Sequence, residues 1–159
     1  TGQTMPKFKI STPTHTHVPA LLEQIHALAQ HHNDVPRISQ HKLAGLIAQD
    51  EINPHILVAC SQKDPAQVFG YCAIVPLIRL QFCEKLMDIH HLFVSPEQRG
   101  FGIGHELITS AFDHAINNHA QHLTVGTTEG NLKAQGFYLS QGFMRMHNNQ
   151  TRFSKPVPA

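Results

Sequence analysis

The stretch HHLFVSPEQRGFGIGHELI, residues 90–108, decides the fold of this chain. It begins as a β-rich run, turns at Pro96, and passes through three glycines into a run with helical periodicity. The first turn of a helix has backbone N–H groups without intrahelical partners and the positive end of the helix dipole. Glycine lets an anion come close to those groups, because it has no Cβ. The segment Arg99–Gly104 is therefore a candidate phosphate cradle between a strand and a helix.

Two well-known glycine motifs do not fit this segment. The dinucleotide-binding fingerprint requires glycine where His105 stands, and the P-loop requires Gly-Lys-Ser/Thr, which is absent. A glycine-rich turn that only packs is the remaining alternative.

Outward from this stretch, β-rich and helical runs alternate in the order β-α-α-β-β-β-α-β-α-β-β. The first half comprises a strand over 8–11, a helix from Pro19 to Gln30, a second helix capped by Ser39, and the hairpin HILVACS–QVFGYCAIVP with the turn QKDPA. The second half comprises the strand KLMDIHHLFV, a helix with Phe112 inward, the strand HLTVGT, a helix over 131–141, and a closing hairpin around Asn148-Asn149 in FMRMHNNQTRFS. This order predicts a mixed α/β fold whose parallel pair surrounds the crossover after Val94.

Length and composition are those of one soluble domain. The chain has 159 residues, of which 41% are hydrophobic and 14% charged. Its net charge of +1 gives no sign of a nucleic-acid surface, and no apolar run is long enough to span a bilayer. We expect a single domain over 1–159, with residues 1–4 preceding a natural start at Met5.

Cysteine and histidine spacing predicts neither disulfides nor a metal site. Cys60, Cys72 and Cys83 show no disulfide or zinc spacing, which favours free thiols in a reducing compartment and hence a cytoplasmic location. None of the 14 histidines has the His-Glu-x-x-His spacing or a CxxC partner. Ordinary surface histidines are the default interpretation, and no metal is expected.

Two segments together resemble the GCN5-related N-acetyltransferase (GNAT) superfamily. The pattern Arg-x-x-Gly-x-Gly after LFVSPE resembles its motif A, and NLKAQGFYLSQGF, residues 131–143, resembles its motif B. The matching motif B residues are Asn131, Ala134, Phe137, Tyr138, Gly142 and Phe143. The order of elements also matches, so the resemblance covers essentially the whole chain. It implies a mostly antiparallel central sheet with flanking helices, and acetyl transfer from acetyl-CoA to a primary amine by direct attack in a ternary complex.

The resemblance also implies where acetyl-CoA binds. Its pyrophosphate would lie on the arginine–glycine loop, formed by Arg99, Gly100, Phe101, Gly102, Ile103 and Gly104. Its pantetheine arm would run along the fourth strand beside Leu92, Phe93 and Val94, like an added strand. Asn131 would help to hold the cofactor. Tyr138 would contact it and protonate the leaving thiolate, with a tyrosine that only packs against the sheet as the alternative.

The general base is expected on the fourth strand. Strict alternation puts one set of side chains on one face, Asp88, His90, Leu92 and Val94, and another set on the opposite face, Ile89, His91 and Phe93. Arylalkylamine acetyltransferases resemble this strand in having histidines at the positions of Asp88 and His90, so we expect His90 to be the base, with Asp88 orienting it or relaying protons. A sheet histidine without a proton role is the alternative, and a β-bulge would reverse the faces.

The sequence says less about the amine that would accept the acetyl group. The junction of the first two helices, HHNDVPRIS, offers no strong cation trap, which favours a small-molecule amine over a polycation, while a peptide or lysine acceptor stays open. The alternatives from other classes are a non-catalytic acyl-CoA-binding sensor or assembly module and a nucleotide-binding enzyme. Neither nucleic acid nor membrane is expected as a partner, and a homodimer is left open.

Overall fold

A computed structural model of the chain describes residues 4–49, 53–146 and 152–158. It divides the chain into two compact units, Thr1–Gly126 and Thr127–Ala159. The strands are β1 (Phe8–Ser11), β2 (His55–Ser61), β3 (Val68–Arg79), β4 (Glu84–Val94) and β5 (His122–Val125). The helices are α1 (Val18–His31), α2 (Gln40–Ile47), α3 (Ile103–Asn117) and α4 (Leu132–Ser140), of which α4 alone belongs to the second unit.

The five strands form one mixed sheet in the order β1-β2-β3-β4-β5. The first three pairings are antiparallel, and β4 pairs with β5 in parallel. The helix α3 lies in the connection between the two parallel strands, as a parallel pair requires. The predicted crossover after Val94 and the mostly antiparallel sheet are thus confirmed.

The helices α1 and α2 cover one face of the sheet. Buried residues of α1 and α2 share a core cluster with Tyr71 and Ala73 of β3 and Phe93 of β4. Pro19 occupies the first turn of α1, and Ser39 Oγ accepts a hydrogen bond from Lys42 N at 3.2 Å to cap α2. Both signals were readable in the sequence, and both are confirmed.

The helix α3 contacts all five strands through one face of the helix. Its buried residues are Ile103, Leu107, Ile108, Ala111 and Ala115. The prediction that Phe112 also points inward is wrong, since 54% of this residue is exposed. The buried residues recur every four positions along α3 and include Ala111 and Ala115. Phe112 lies outside this stripe.

Some expected elements differ from the structure. The strand β3 runs three residues beyond the predicted Pro76 and joins β4 through a short turn at 80–83. The turn of the expected closing hairpin, Asn148-Asn149, lies outside the described residues, and the flanking residues 143–146 and 152–154 are in no strand. None of the helices described is long and apolar enough to cross a membrane.

The three cysteines are free thiols, with Cys60 and Cys72 buried and Cys83 exposed, which confirms the expectation of free thiols. Within 4–49, 53–146 and 152–158, no group of three or more histidine, cysteine or acidic residues is arranged to hold a metal ion.

Candidate active site

The strand β4 has β5 as a neighbour along only part of its length. Its pairing with β5 covers residues 86–89 and ends at Ile89 opposite Val125. On the other side, β3 stays paired with β4 as far as Val94. In the part of the chain that the structure describes, residues 90–94 therefore have an open backbone edge inside the sheet. An extended ligand can pair with such an edge as an added strand would.

A β-bulge lies where this open edge begins. Ala73 of β3 pairs with His91, but the next residue, Ile74, pairs with Ile89, so His90 is an extra residue without a partner in the ladder. The rings of His90 and His91 stack with centroids 4.2 Å apart and planes 14° from parallel. Side chains of consecutive residues in a regular strand point to opposite faces, so this stacking is a consequence of the bulge.

The bulge corrects the predicted faces of β4. Asp88 pairs with Val75, His91 with Ala73, and Phe93 with Tyr71. The three β3 partners alternate along one regular strand and therefore share a face, which is the face covered by α1 and α2. Asp88 thus shares this face with His91 and Phe93. The expectation that it shares one with Leu92 and Val94 is wrong, because one extra residue shifts the alternation.

His91 is held in a neutral state by its surroundings. It is half-buried, and its Nδ1 lies 3.0 Å from the Tyr71 hydroxyl oxygen. Burial lowers the pKa of His91 to about 4, and the neighbouring His90 and His32 contribute in the same direction. Burial likewise raises the pKa of Tyr71 above its ordinary value. A histidine this hard to protonate is a weak base at neutral pH.

His90 and Asp88 occupy different surroundings. His90 is exposed and stacks on His91, whereas Asp88 is half-buried and accepts a hydrogen bond from Thr124 Oγ1 at 2.7 Å. This bond joins β4 to β5 at the last pair but one before the strands separate. No hydrogen bond or ion pair joins Asp88 to His90 among the described residues, so direct orientation of the imidazole by this carboxylate is absent from the structure.

The arginine–glycine loop follows β4 after a short 3-10 turn at Pro96–Gln98. Gly100 and Gly102 have φ angles of +86° and +83°, which side chains with a Cβ rarely adopt. A Cβ at either glycine would meet nothing within 4 Å, so the space in front of both is open. The first backbone bond of α3 runs from Glu106 N to Gly102 O, so the amides of Ile103 and Gly104 come before the first helical bond. These features fit a cradle for a pyrophosphate.

Side chains hold the loop to the end of β4. Arg99 Nε donates to Val94 O at 2.9 Å, and its guanidinium carbon lies 5.8 Å from the centre of the Phe93 ring. The buried Gln24 of α1 donates from Nε2 to Val68 O at 2.7 Å and to Ser95 Oγ at 2.9 Å. These hydrogen bonds connect the end of β4, the helix α1 and the loop to one another.

In the second unit, the motif B residues build the two ends of α4. Asn131 Oδ1 accepts a hydrogen bond from Ala134 N at 3.1 Å and caps the first turn. At the other end, Gly142 has a φ angle of +89°, and Phe143 N donates to Tyr138 O at 3.1 Å, which is the Schellman pattern. The rings of Tyr138 and Phe143 make an edge contact, with centroids 5.9 Å apart. Within its unit, each of these residues thus has a structural task.

The structure brings several predicted residues together in the first unit, namely Asp88, His90, Leu92, Phe93, Val94 and the loop from Arg99 to Gly104. Asn131 and Tyr138 come together in the second unit. Sequence reasoning missed Tyr71 and Thr124. A tyrosine inside the apolar run VFGYCAIV was a readable signal, since a buried hydroxyl requires a partner. Thr124 gave none, because only the strand register shows that it faces Asp88.

Comparison with known proteins relates the chain to acetyltransferases. A family model described as the acetyltransferase (GNAT) family matches residues 22–143. An uncharacterized N-acetyltransferase from Archaeoglobus fulgidus is 44% identical over 64 residues, which are 39% of this chain and 42% of that protein. The uncharacterized N-acetyltransferase YhfO of Bacillus subtilis is 28% identical over 89 residues, which are 56% of this chain and 60% of that protein. Both matches span less than two thirds of the relative's length.

Solved structures share the fold over nearly the whole chain. An acetyltransferase from Trypanosoma brucei superimposes with a TM-score of 0.73 and 21% identity, covering 94% of this chain and 100% of the other. Glucosamine-6-phosphate N-acetyltransferase from Arabidopsis thaliana gives a TM-score of 0.73 and 13% identity, covering 94% and 99%. At these identities the likeness confirms the predicted fold class.

The burial of His91 predicts loss of stability in acid. Its folded pKa of about 4 lies below an unfolded value of about 6.5, so its contribution is present above pH 6.5 and is lost as the pH falls towards 4. We expect urea midpoints of His91→Gln to fall less steeply than those of the wild type between pH 6.5 and 4.5. His41→Gln, at an exposed position, serves as the control and should follow the wild type. Equal slopes for all three proteins would contradict the prediction.

Proposed function

The chain belongs to the GNAT acetyltransferase family, and we propose that it transfers an acetyl group from acetyl-CoA to the primary amine of a small molecule. One observation carries the proposal. The open edge of β4 over residues 90–94 is followed, after a short turn at 95–98, by a loop with two left-handed glycines and open space in front of them. An edge that accepts an extended amide-bearing arm, followed by a cradle for a pyrophosphate, matches the two chemically different parts of coenzyme A.

The cofactor-binding residues follow from this arrangement. The backbone of Leu92 and Phe93 would pair with the pantetheine arm, and the amides of the loop up to Gly104 would bind the pyrophosphate. Val94 O already accepts a bond from Arg99, so this carbonyl limits the length of the ladder at the loop end. When bound, acetyl-CoA supplies an activated acetyl thioester. Asn131 caps α4, and its role towards the cofactor is to fix the helix that carries Tyr138.

The proton steps belong to His90 and Tyr138 in this proposal. An amine is mostly protonated at neutral pH and must lose a proton before it attacks. His90 is the exposed imidazole at the bulge, where the open edge begins, whereas His91 is half-buried and too weak a base. Asp88, held by Thr124, adds negative charge on the same side of β4 and would assist through water rather than by direct contact. Tyr138 would donate the proton to the leaving thiolate.

A small amine is favoured as acceptor. Among the described residues of β4 on the side of α1 and α2, the acidic ones are Asp88 and Glu84, and both have partners within the chain. That leaves little free negative charge for a polycation. One structurally similar protein is named for a phosphorylated amino sugar, glucosamine 6-phosphate, and another is named ribosomal-protein-alanine N-acetyltransferase. A peptide terminus is therefore the second candidate acceptor.

Release of free thiol from acetyl-CoA with a panel of small amines and N-terminal peptides tests the proposed reaction. We expect turnover with an amine, and a decrease of about 100- to 10,000-fold in Tyr138→Phe with nearly unchanged cofactor affinity. Tyr71→Phe is the matched control, since it removes the same atom from the chain's other tyrosine and should affect stability more than turnover. Binding of CoA without thiol release by any amine would instead indicate a cofactor sensor.

Gly102→Val tests the cradle. The substitution puts side-chain atoms into the open space and strains a φ angle of +83°, and we expect the dissociation constant for CoA to rise at least about tenfold, as for one lost charge-assisted hydrogen bond. Gly142→Val is the control, because its φ angle of +89° and open surroundings produce the same strain outside the loop. Calorimetric titration of both folded variants with CoA measures the two dissociation constants and tests the prediction. A folded Gly102→Val with wild-type affinity would show that the cradle lies elsewhere.

The pH dependence of turnover tests His90. If His90 takes the proton, the acidic limb of the pH–rate profile reports an imidazole, and His90→Gln should flatten that limb and lower turnover. Higher pH should partly rescue this variant, because the amine then loses its proton in solution. His91→Gln should keep the limb and change stability instead. The assignment fails if His91→Gln abolishes activity while His90→Gln retains the wild-type profile.

A further inference from the structure

The hydrogen bond between Tyr71 and His91 has a direction that follows from burial. Tyr71 is 1% exposed, and burial raises the pKa of its hydroxyl, so the hydroxyl carries a proton. Among the described residues, the one hydrogen bond of this group joins its oxygen to His91 Nδ1, at 3.0 Å. A proton directed elsewhere would leave a buried donor unpaired, which costs free energy. Tyr71 therefore donates, and Nδ1 accepts.

This direction fixes the tautomer of His91. A neutral imidazole has its N–H proton on one nitrogen, so an accepting Nδ1 requires the proton on Nε2. Burial lowers the pKa of His91 to about 4, and the ring is therefore neutral at neutral pH. His91 thus has a fixed N–H donor at Nε2, and it has no free nitrogen that could take a proton from an amine.

The Nε2 atom of His91 is available to a ligand. In the part of the chain that the structure describes, it has no hydrogen-bond partner. It is also not one of the fully buried polar side-chain atoms that lack a partner there, which are Gln24 Oε1 and Arg79 Nε. His91 is half-buried and belongs to the open edge of β4 over residues 90–94. A fixed donor of this kind is typical of the few polar groups that orient a bound small molecule.

The position of this donor favours the acceptor amine over the coenzyme as its ligand. Ladder hydrogen bonds lie in the plane of a sheet, whereas side chains stand roughly perpendicular to that plane. A pantetheine arm paired with the open edge would lie in the plane. His91 lies on the face that α1 and α2 cover, and His32 at the end of α1 is close enough to contribute to its low pKa. The donor therefore faces a molecule above the sheet, which in the proposed ternary complex is the amine.

Two neighbouring side chains define the chemistry that fits this place. The rings of His90 and His91 stack with centroids 4.2 Å apart, which is close to the separation of a nitrogen and an oxygen on adjacent carbons of a staggered chain. An amine held at His90 would thus bring an oxygen on the next carbon to His91 Nε2. Asp88 occupies the adjacent position on this face, since it pairs with Val75 and His91 pairs with Ala73. Its negative charge disfavours a carboxylate there.

We propose that His91 Nε2 donates a hydrogen bond to an uncharged oxygen on the carbon next to the reacting amine, and that Tyr71 is the positioning residue that keeps the proton on Nε2. The acceptor is then an amino alcohol or the α-amino amide of a peptide terminus, which share this N–C–C–O unit. The inference rests on the proposed acetyl transfer and narrows the class of its acceptor.

Amines that differ in this oxygen test the proposal. We define the oxygen preference as kcat/KM for 2-aminoethanol or glycinamide divided by kcat/KM for n-propylamine, which has a methyl group in place of the hydroxyl. For the wild type we expect a preference of at least about tenfold for one of the two, and the two arms distinguish an amino alcohol from a peptide terminus. Glycine, which has a carboxylate instead of the amide, should be a poorer substrate than glycinamide.

His91→Phe keeps the ring and removes the N–H. We expect it to lower the oxygen preference at least about fivefold, through a higher KM with kcat nearly unchanged. Differences in basicity between the amines cancel when the preferences of two variants are compared. His91→Gln should retain most of the preference, because the amide N–H can replace the donor. The control is His55→Phe, which removes a half-buried imidazole stacked at 3.8 Å on His114 of α3 and should keep the wild-type preference.

The tautomer can be measured without turnover. Heteronuclear NMR correlation spectra distinguish protonated from unprotonated ring nitrogens, and the signals of His91 are identified by their loss in His91→Gln. We expect a protonated Nε2 and an unprotonated Nδ1 in the wild type. In Tyr71→Phe the Nδ1 atom loses its donor and the two tautomers mix. The oxygen preference of this variant should fall about two- to threefold, in proportion to the remaining Nε2–H form, with kcat nearly unchanged.

Several results would overturn the proposal. One is an unchanged oxygen preference in folded His91→Phe, and another is an equal loss in His55→Phe. A proton on Nδ1 in the wild type would refute the positioning role of Tyr71. If no amine releases thiol from acetyl-CoA, the proposed function fails and the acceptor role of His91 fails with it, whereas turnover without an oxygen preference refutes this inference alone. Should His91→Phe not fold, the spectra and the kinetics of Tyr71→Phe still decide.

Discussion

The strand β3 pairs with two stretches of β4 that are out of step by one residue, because His90 has no partner in the ladder. Everything proposed for the active site depends on this register. It puts Asp88, His91 and Phe93 on one face, stacks two imidazoles on each other, and coincides with the point where β5 leaves β4. A bulge disrupts the ladder of hydrogen bonds locally, and beside it the Tyr71 hydroxyl oxygen lies 3.0 Å from Nδ1 of the half-buried His91.

Two neighbouring histidines consequently have opposite properties. His91 is half-buried beside Tyr71 and is difficult to protonate, whereas His90 extends from the same bulge into solvent. Charge on one ring disfavours charge on the other at a centroid distance of 4.2 Å. A neutral His91 therefore leaves the exposed His90 ring without a charged imidazole beside it.

Much of the architecture could be predicted from the sequence, and the exceptions have physical causes. Some residues affect only the backbone a few positions away, so their effects could be predicted from the sequence. These are Pro19, Ser39 and the glycines of the loop. The bulge was not, because Ile89, Leu92, Phe93 and Val94 are all apolar and fit either alternation. Only pairing with β3 shows which residue is extra. The contact of Thr124 with Asp88 likewise depends on the parallel register, which no local pattern encodes.

The connections of β4 differ greatly in length, with consequences for the order of assembly. Residues 80–83 join it to β3, whereas residues 95–121 join it to β5, four residues against 27. By loop-closure entropy alone the longer connection costs about 1.7 kcal/mol more, so the antiparallel hairpin closes more readily than the parallel pair. The pairing of β4 with β5 is also the shorter one. The pairing of β4 with β5 therefore forms less readily than that of β3 with β4, and amides of Leu123–Val125 should exchange with solvent before those of β3.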